Sequence, residues 1–343
     1  MRSARRILLL CLTSLLALAG TAQAAAPSSF FGVMADGPLL GSSANLDQEA
    51  RMMRSSGAGT VRVAFYWSEM QPQAGQPIDW TESDRRMRAF AAANLDVLPI
   101  LVRAPAWAAS GDTREGAIPD AAAYGAFVGE FAKRYGTRLR QYQVWNEPDI
   151  NRYFAADNAW PQRYVPLLRA ARTAIKAADP SARVVAAGLT NKSWQDLDKL
   201  YRAGARGLFD VAAIHPFSRR VSNVVKIVRL TRDVMRRRGD ARVPLMLTEV
   251  SWSSGKGQST FNYGWETSEK GQATKVREAL TALARERTRL RISAVYWYTW
   301  LSPATGDDES FSYSGLRKLR GGKPVSKPAL GAFKSTVKRL RSR

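Results

Sequence analysis

Two short stretches hold the residues best suited to chemistry. Val144-Trp145-Asn146-Glu147-Pro148-Asp149 and Leu247-Thr248-Glu249-Val250-Ser251-Trp252 each place a glutamate where an apolar run ends. The chain has twelve glutamates, so two alone decide nothing. Their matching positions single them out. A carboxylate on a buried strand is costly unless it is paired or functional. Two facing carboxylates are what cleavage of a glycosidic bond requires. One gives a proton to the leaving oxygen, and the other attacks or steadies the anomeric carbon. The competing explanation is a pair of structural ion pairs, with Arg62 and Arg103 as partners.

Composition removes most other chemistries. Cys11 and His215 are the only cysteine and histidine among 343 residues. One of each cannot build a zinc site, a disulfide framework or an iron–sulfur site. A Ser-His-Asp or Cys-His mechanism would have to use His215. No cofactor and no metal site are therefore expected. The content of 45% hydrophobic and 24% charged residues is that of a globular chain able to bury a full core. Gly57-Ala58-Gly59 precedes a strand and lacks a third glycine, so it is not a dinucleotide fingerprint.

The elements that must position the two glutamates alternate along the chain. Short apolar or β-branched runs predict strands over Phe30 to Met34, Thr60 to Phe65, Val97 to Val102 and Tyr142 to Trp145. Four more follow over Val184 to Ala187, Val211 to Ile214, Leu245 to Thr248 and Ala294 to Tyr298. Helical patterns lie between them: Asn45 to Ser55, Thr81 to Ala93, Ala121 to Arg134 and Gln162 to Ala178. The others are Gln195 to Arg202, Asn223 to Arg238, Glu269 to Arg287 and Lys327 to Arg341. Asn45 with Gln48, and Thr81 with Asp84, have the spacing of helix-start caps. Strand then helix, eight times, predicts an α/β fold of the (β/α)₈ barrel type, as one domain over residues 25–343. A doubly wound open sheet is the fallback. In such a barrel the site lies at the C-terminal strand ends, where both glutamates fall.

The first residues read as a targeting segment. Arg2, Arg5 and Arg6 precede an apolar run from Ile7 to Ala19, and Ala22-Gln23-Ala24 follows. That is the pattern of a cleaved signal over residues 1–24. The run is too short to span a bilayer, which takes roughly 20 residues, and no later stretch is long enough. The mature chain is expected to be secreted, extracellular or periplasmic, and free of cysteine. Lys and Arg number 52 against 29 Asp and Glu, for a net charge of +23. The excess clusters at Arg236-Arg237-Arg238 and from Arg317 to Arg343. It fits attraction to a polyanion, or simply a solvated basic face. Aromatics do not interleave with the basic runs, so no nucleic-acid partner is expected.

Together these motifs resemble the clan A glycoside hydrolases, closest to family 39 with family 5-like features. The resemblance rests on Trp145-Asn146-Glu147-Pro148-Asp149, His215-Pro216-Phe217 and Thr248-Glu249-Val250-Ser251-Trp252. Trp297-Tyr298, Gly315-Leu316 and Lys327-Pro328-Ala329 extend it to nearly the whole mature chain. It implies a retaining (β/α)₈ enzyme with Glu147 as acid/base and Glu249 as nucleophile. Arg62 would touch the nucleophile, His215 would line the site, and Trp297 would lie under the sugar, before a cis peptide. Asn146 would bond the sugar 2-hydroxyl. Trp67, Trp107 and Trp252 are further candidate sugar platforms. Many relatives carry Tyr at the position of Phe217, so a hydroxyl is missing there. The implied protein is a monomer acting on β-linked polysaccharides or oligosaccharides, acidic ones included. A non-catalytic carbohydrate- or polyanion-binding barrel is the alternative.

Overall fold

The computed structural model describes residues 24–41, 44–110, 117–155, 157–190, 192–303 and 309–342. All of the expected signal segment except Ala24 lies outside the described residues. Eight parallel strands close a barrel: β1 (Phe31–Ala35), β2 (Thr60–Tyr66), β3 (Asp96–Val102), β4 (Gln141–Val144), β5 (Arg183–Leu189), β6 (Val211–Ile214), β7 (Leu245–Val250) and β8 (Ile292–Trp297). Strands adjacent in the chain are adjacent in the barrel, and β1 closes it against β8. The helices between them are α1 (Leu46–Ser55), α2 (Thr81–Ala92), α3 (Ala121–Tyr135), α4 (Trp160–Ala178), α5 (Ser193–Arg202), α6 (Val221–Arg237) and α7 (Glu269–Glu286); α8 (Pro328–Arg341) follows β8. All sixteen sequence-predicted elements are present, with ends within two residues.

The strands are buried on both faces, which is why they read as continuous apolar runs and not as alternations. Leu98, Val185, Val211, Ala213, Met246, Ala294 and Tyr296 form a cluster of their own inside the ring. A larger core lies between the strands and the helices. The barrel is thus filled, and its mouth is left to carry chemistry.

Several helix starts follow local chemistry. Asn45 accepts the Gln48 amide at 3.0 Å ahead of α1, Asp120 accepts Ala123 at 2.7 Å ahead of α3, and Ser268 accepts Gly271 at 3.1 Å ahead of α7. These side chains satisfy amides that have no helical partner. The cap expected at Thr81 is not formed. Thr81 is already helical, and its amide donates to Asp79 at 2.8 Å. Asp84 instead bonds Arg134 and Tyr135 on α3, at 2.6 Å each.

Short strands escaped the sequence reading. Residues 109–110 pair with 118–119, and residues 301–302, 317–320 and 323–326 form a three-stranded sheet. Gly321 and Gly322, with φ of 55° and 73°, make the turn between the last two. Within what read only as a basic stretch, Arg317 is buried and paired with Glu49 of α1. Trp300 donates to the same carboxylate at 2.7 Å. No helix of the described residues is long and apolar enough to cross a membrane.

Candidate active site

Four barrel strands and the turns after them converge on one network. Arg62, fully buried on β2, is its hub. Its Nη1 donates to Glu249 Oε1 at 2.5 Å, its Nη2 to Asn146 Oδ1 at 2.7 Å and its Nε to Gln143 Oε1 at 2.7 Å. Arg62 therefore fixes the β7 glutamate against the residue that precedes Glu147. Gln143, on β4, was missed from sequence because an amide within an apolar run carries no signature. Its Nε2 donates to Ala186 O at 3.2 Å, which orients the oxygen that Arg62 needs.

Glu147 follows β4 on an unusual backbone. Trp145 and Glu147 have φ of 67° and 40°, a region that costs non-glycine residues about 1–3 kcal/mol each. Surrounding bonds hold the turn in place. Trp145 Nε1 donates to Tyr153 O at 2.8 Å, and the Glu147 amide donates to Gly188 O at 3.1 Å. Asp149 Oδ2 accepts from Thr190 N at 2.9 Å and from its hydroxyl at 2.5 Å.

His215, after β6, is fully buried between the two glutamates. Its Nδ1 lies 2.6 Å from Glu147 Oε1, and its Nε2 lies 2.9 Å from the Thr248 hydroxyl and 3.8 Å from Glu249 Oε1. Gly188 of β5 makes room for the ring. A Cβ there would come within 2.0 Å of His215 Nε2. One ligand atom each from Glu147, His215 and Glu249 falls within a 4.8 Å span. Among the described residues this is the one such trio with metal-binding groups. Its donors suit hydrogen bonding better, since Arg62 already brings positive charge to Glu249 and both ring nitrogens of His215 are engaged.

The electrostatics differ across the pair. Burial pushes the Glu147 carboxyl up to about 7, against the pull of Arg62 and Arg152. Burial also raises Glu249, opposed by His215 and Arg62 and reinforced by Glu147. Glu249 alone of the two touches a guanidinium, so it ionises first. Burial drives His215 down to about 3, so the ring is neutral at ordinary pH.

The two glutamates and Asn146 line a cavity of about 370 Å³ at the barrel mouth. Asp36, Tyr66, Arg152, Tyr153, Phe217, Tyr263, Trp265, Tyr298, Glu309 and Phe311 share its walls. Two larger surface grooves, of about 710 and 850 Å³, run along α3 and α4. Small residues dominate them and no carboxylate pair converges there, so the chemistry is assigned to the barrel mouth.

The tryptophans expected as platforms do not reach the cavity. Trp297 is fully buried, donates to Ser314 O at 3.0 Å and packs on Trp252, which is buried too. Tyr298, one residue on and followed by a cis peptide to Thr299, lines the cavity instead. Trp67 is buried against Phe127, and the exposed Trp107 packs on Trp67. Arg103 is exposed and lies over the Tyr66 ring at 5.0 Å, away from both glutamates. Phe217 stacks on Trp265 at 5.7 Å, so its apolar ring completes an aromatic wall. The loops after β7 and β8 supply most of that wall and were not found from sequence, although Phe261-Asn262-Tyr263-Gly264-Trp265 is an aromatic-rich signal. Glu309 ties it together, accepting from Arg152 at 3.0 Å and from the Tyr263 hydroxyl at 3.1 Å.

No protein-family profile and no curated protein matches the sequence. Solved structures do match the fold. A family 39 glycoside hydrolase of Bacteroides cellulosilyticus WH2 is 17% identical with a TM-score of 0.72, over 92% of this chain and 64% of that one. A family 39 β-xylosidase of Caulobacter crescentus is 21% identical with a TM-score of 0.68, over 92% and 72%. An exo-β-1,4-mannosidase of Opitutaceae bacterium strain TAV5 is 16% identical with a TM-score of 0.67, over 91% and 60%. This chain thus spans less than two thirds of the first and third of these proteins. At such identities the likeness establishes the (β/α)₈ fold that they share.

Proposed function

We propose that the protein is an exported retaining glycoside hydrolase that cleaves β-linked polysaccharides or oligosaccharides. One observation carries the reading. Glu147 and Glu249 face one cavity with oxygens within 4.8 Å, and only Glu249 holds a guanidinium. That spacing suits direct attack, for which retaining carboxyl pairs stand about 5–5.5 Å apart; inverting pairs leave room for water at roughly 6.5–9.5 Å. The neighbours' printed names, a β-xylosidase and an exo-β-1,4-mannosidase, support the same class.

In the first step Glu249 attacks the anomeric carbon. Arg62 holds its Oε1, which leaves Oε2 as the attacking atom. The bond from that carbon to the leaving oxygen breaks, and Glu147 gives its proton to that oxygen. A carboxyl pushed up to about 7 keeps this proton until it is needed. In the second step Glu147, now a carboxylate, takes a proton from water. The water oxygen attacks the same carbon and releases Glu249. Asn146, oriented by Arg62, is placed to bond the sugar 2-hydroxyl. His215 stays neutral and steers the Glu147 carboxyl.

Export is supported by the Ala22-Gln23-Ala24 pattern behind the apolar run. Ala24 and Ala25 are exposed, whereas Ala26 is buried and its amide donates to Leu340 O at 3.0 Å. The test of the mechanism is a pair of variants. Glu249→Ala is expected to abolish turnover of every glycoside. Glu147→Ala is expected to spare substrates with good leaving groups and to be rescued by azide, with a glycosyl azide as product. Full activity of Glu249→Ala, or of Glu147→Ala on substrates with poor leaving groups and without azide, would overturn the assignment.

A further inference from the structure

The cavity holds a carboxylate that this reaction does not use. Asp36 directly follows β1 and lines the cavity beside Tyr66 and Tyr298. It is half-buried, and the Tyr298 hydroxyl donates to its Oδ2 at 3.3 Å. Among the described residues no ion pair to Asp36 is formed. With one oxygen on Tyr298, the Asp36 carboxylate keeps acceptor capacity for a hydroxyl in the cavity that it lines.

The ring of strands shows which part of a substrate Asp36 would meet. Glu147 follows β4; β8 lies opposite it in the ring, and β1 is next to β8. The leaving group must sit beside Glu147, the proton donor. The sugar under attack then extends from Glu249 on β7 toward β8, β1 and β2, where Tyr298, Asp36 and Tyr66 stand. Arg152, the one basic residue among the described cavity walls, follows β4 and is already paired with Glu309. At the far end the basic residue beside the walls is Arg103, exposed and held over the Tyr66 ring at 5.0 Å.

We infer that Asp36 selects the transferred sugar: it accepts hydroxyl protons from a neutral glycone and rejects a uronate. A carboxylate accepts hydrogen bonds and donates none, which matches a polyol. A sugar acid placed there would set a third negative charge beside Asp36 and Glu249, where the nearest guanidiniums are already engaged, Arg62 with Glu249 and Arg103 over the Tyr66 ring. This inference rests on the hydrolase reading for the orientation of the sugar.

The test uses the full chain with p-nitrophenyl β-glycosides of xylose, mannose, glucose and galactose, and with the matching glucuronide and galacturonide. Wild-type protein is expected to prefer a neutral glycoside. Asp36→Asn should lower kcat/KM on it by ~10–100-fold, the size of a lost charge-assisted bond, while the uronides lose nothing. A 3- or 4-deoxy analogue of that glycoside should be poor for wild type and should lose nothing further in Asp36→Asn, which general misfolding would not reproduce. Binding of the free neutral sugars and uronates, read by calorimetry, separates the two claims. Neutral-sugar binding that weakens in Asp36→Asn, with no turnover of any glycoside, sinks the hydrolase reading and keeps Asp36. Preference for a uronide, or unchanged handling of neutral sugars by Asp36→Asn, overturns the role of Asp36. Neither binding nor turnover of any sugar overturns both.

Discussion

Arg62 makes the two glutamates unlike each other. It reaches Glu249, Asn146 and Gln143 from a single buried guanidinium, and Glu147 receives none of these bonds. Its loss leaves a buried carboxylate uncompensated. Arg62→Met is expected to lower kcat/KM by ~10²–10³, comparable to losing one preorganised donor. The acidic limb of the pH–rate profile should move to higher pH, because Glu249 loses the contact that favours its ionised form. An unmoved limb would contradict this. Glu147 supplies a second prediction. Its carboxyl is raised from 4.5 to about 7 in the fold, so the neutral form is favoured there. The stability it contributes is complete below the unfolded value and is lost as pH rises through the folded one. At 1.36 kcal/mol per unit the loss is roughly 3 kcal/mol. Glu147→Gln removes the ionisation. The variant should gain Tm relative to wild type at pH 8 and much less at pH 4.5; equal shifts at both values would count against the raised carboxyl. Both glutamates, Asn146 and His215 were legible because strand ends can be located from apolar runs; Arg62 lies inside β2, and its place beside Glu249 was expected from the resemblance alone. Gln143 was not, since its role is set by what faces it across the barrel.

At the scale of elements, the error over Trp297 is one of phase. Successive strand residues point to opposite faces, so a shift of one residue exchanges the cavity for the core. β8 ends at Trp297, which faces Ser314 and Trp252, and Tyr298 turns to the site. No alternation of polar and apolar residues marks that phase in a strand buried on both sides. β5 and β6 meet under a stricter constraint. Gly188→Ala would force His215 to move, because a Cβ would come within 2.0 Å of Nε2. We expect that variant to fold but to lose at least tenfold in kcat, with the alkaline limb displaced as the His215–Glu147 contact breaks; wild-type kinetics would contradict the proposed contact. The link from α1 to the sheet after β8 is a buried pair between Glu49 and Arg317. Glu49→Ala leaves that guanidinium buried alone and is expected to cost about 3–5 kcal/mol in urea unfolding. A loss below about 1 kcal/mol would place the pair among surface salt bridges.

At the scale of the whole molecule, the eightfold alternation was plain because each strand and helix obeys its own local pattern. The walls of the cavity were not, because loops have no period. Tyr263, Trp265, Glu309 and Phe311 meet only after the barrel closes. The net charge also reads differently in three dimensions. α8 carries Lys334, Lys338, Arg339 and Arg341 and no acidic residue, yet it packs beside α7, and none of the four lines the cavity. Salt should therefore weaken adsorption to acidic polymers while leaving hydrolysis of neutral aryl glycosides nearly unchanged. Parallel salt dependence of both would mean that the basic face takes part in turnover. The central claim is that Glu249 attacks sugar directly, with no water between the carboxylates. The most direct measurement is ¹H NMR of the first-formed sugar during hydrolysis of an aryl β-glycoside, before mutarotation. The β-anomer is expected first; an α-anomer appearing first would contradict direct attack by Glu249.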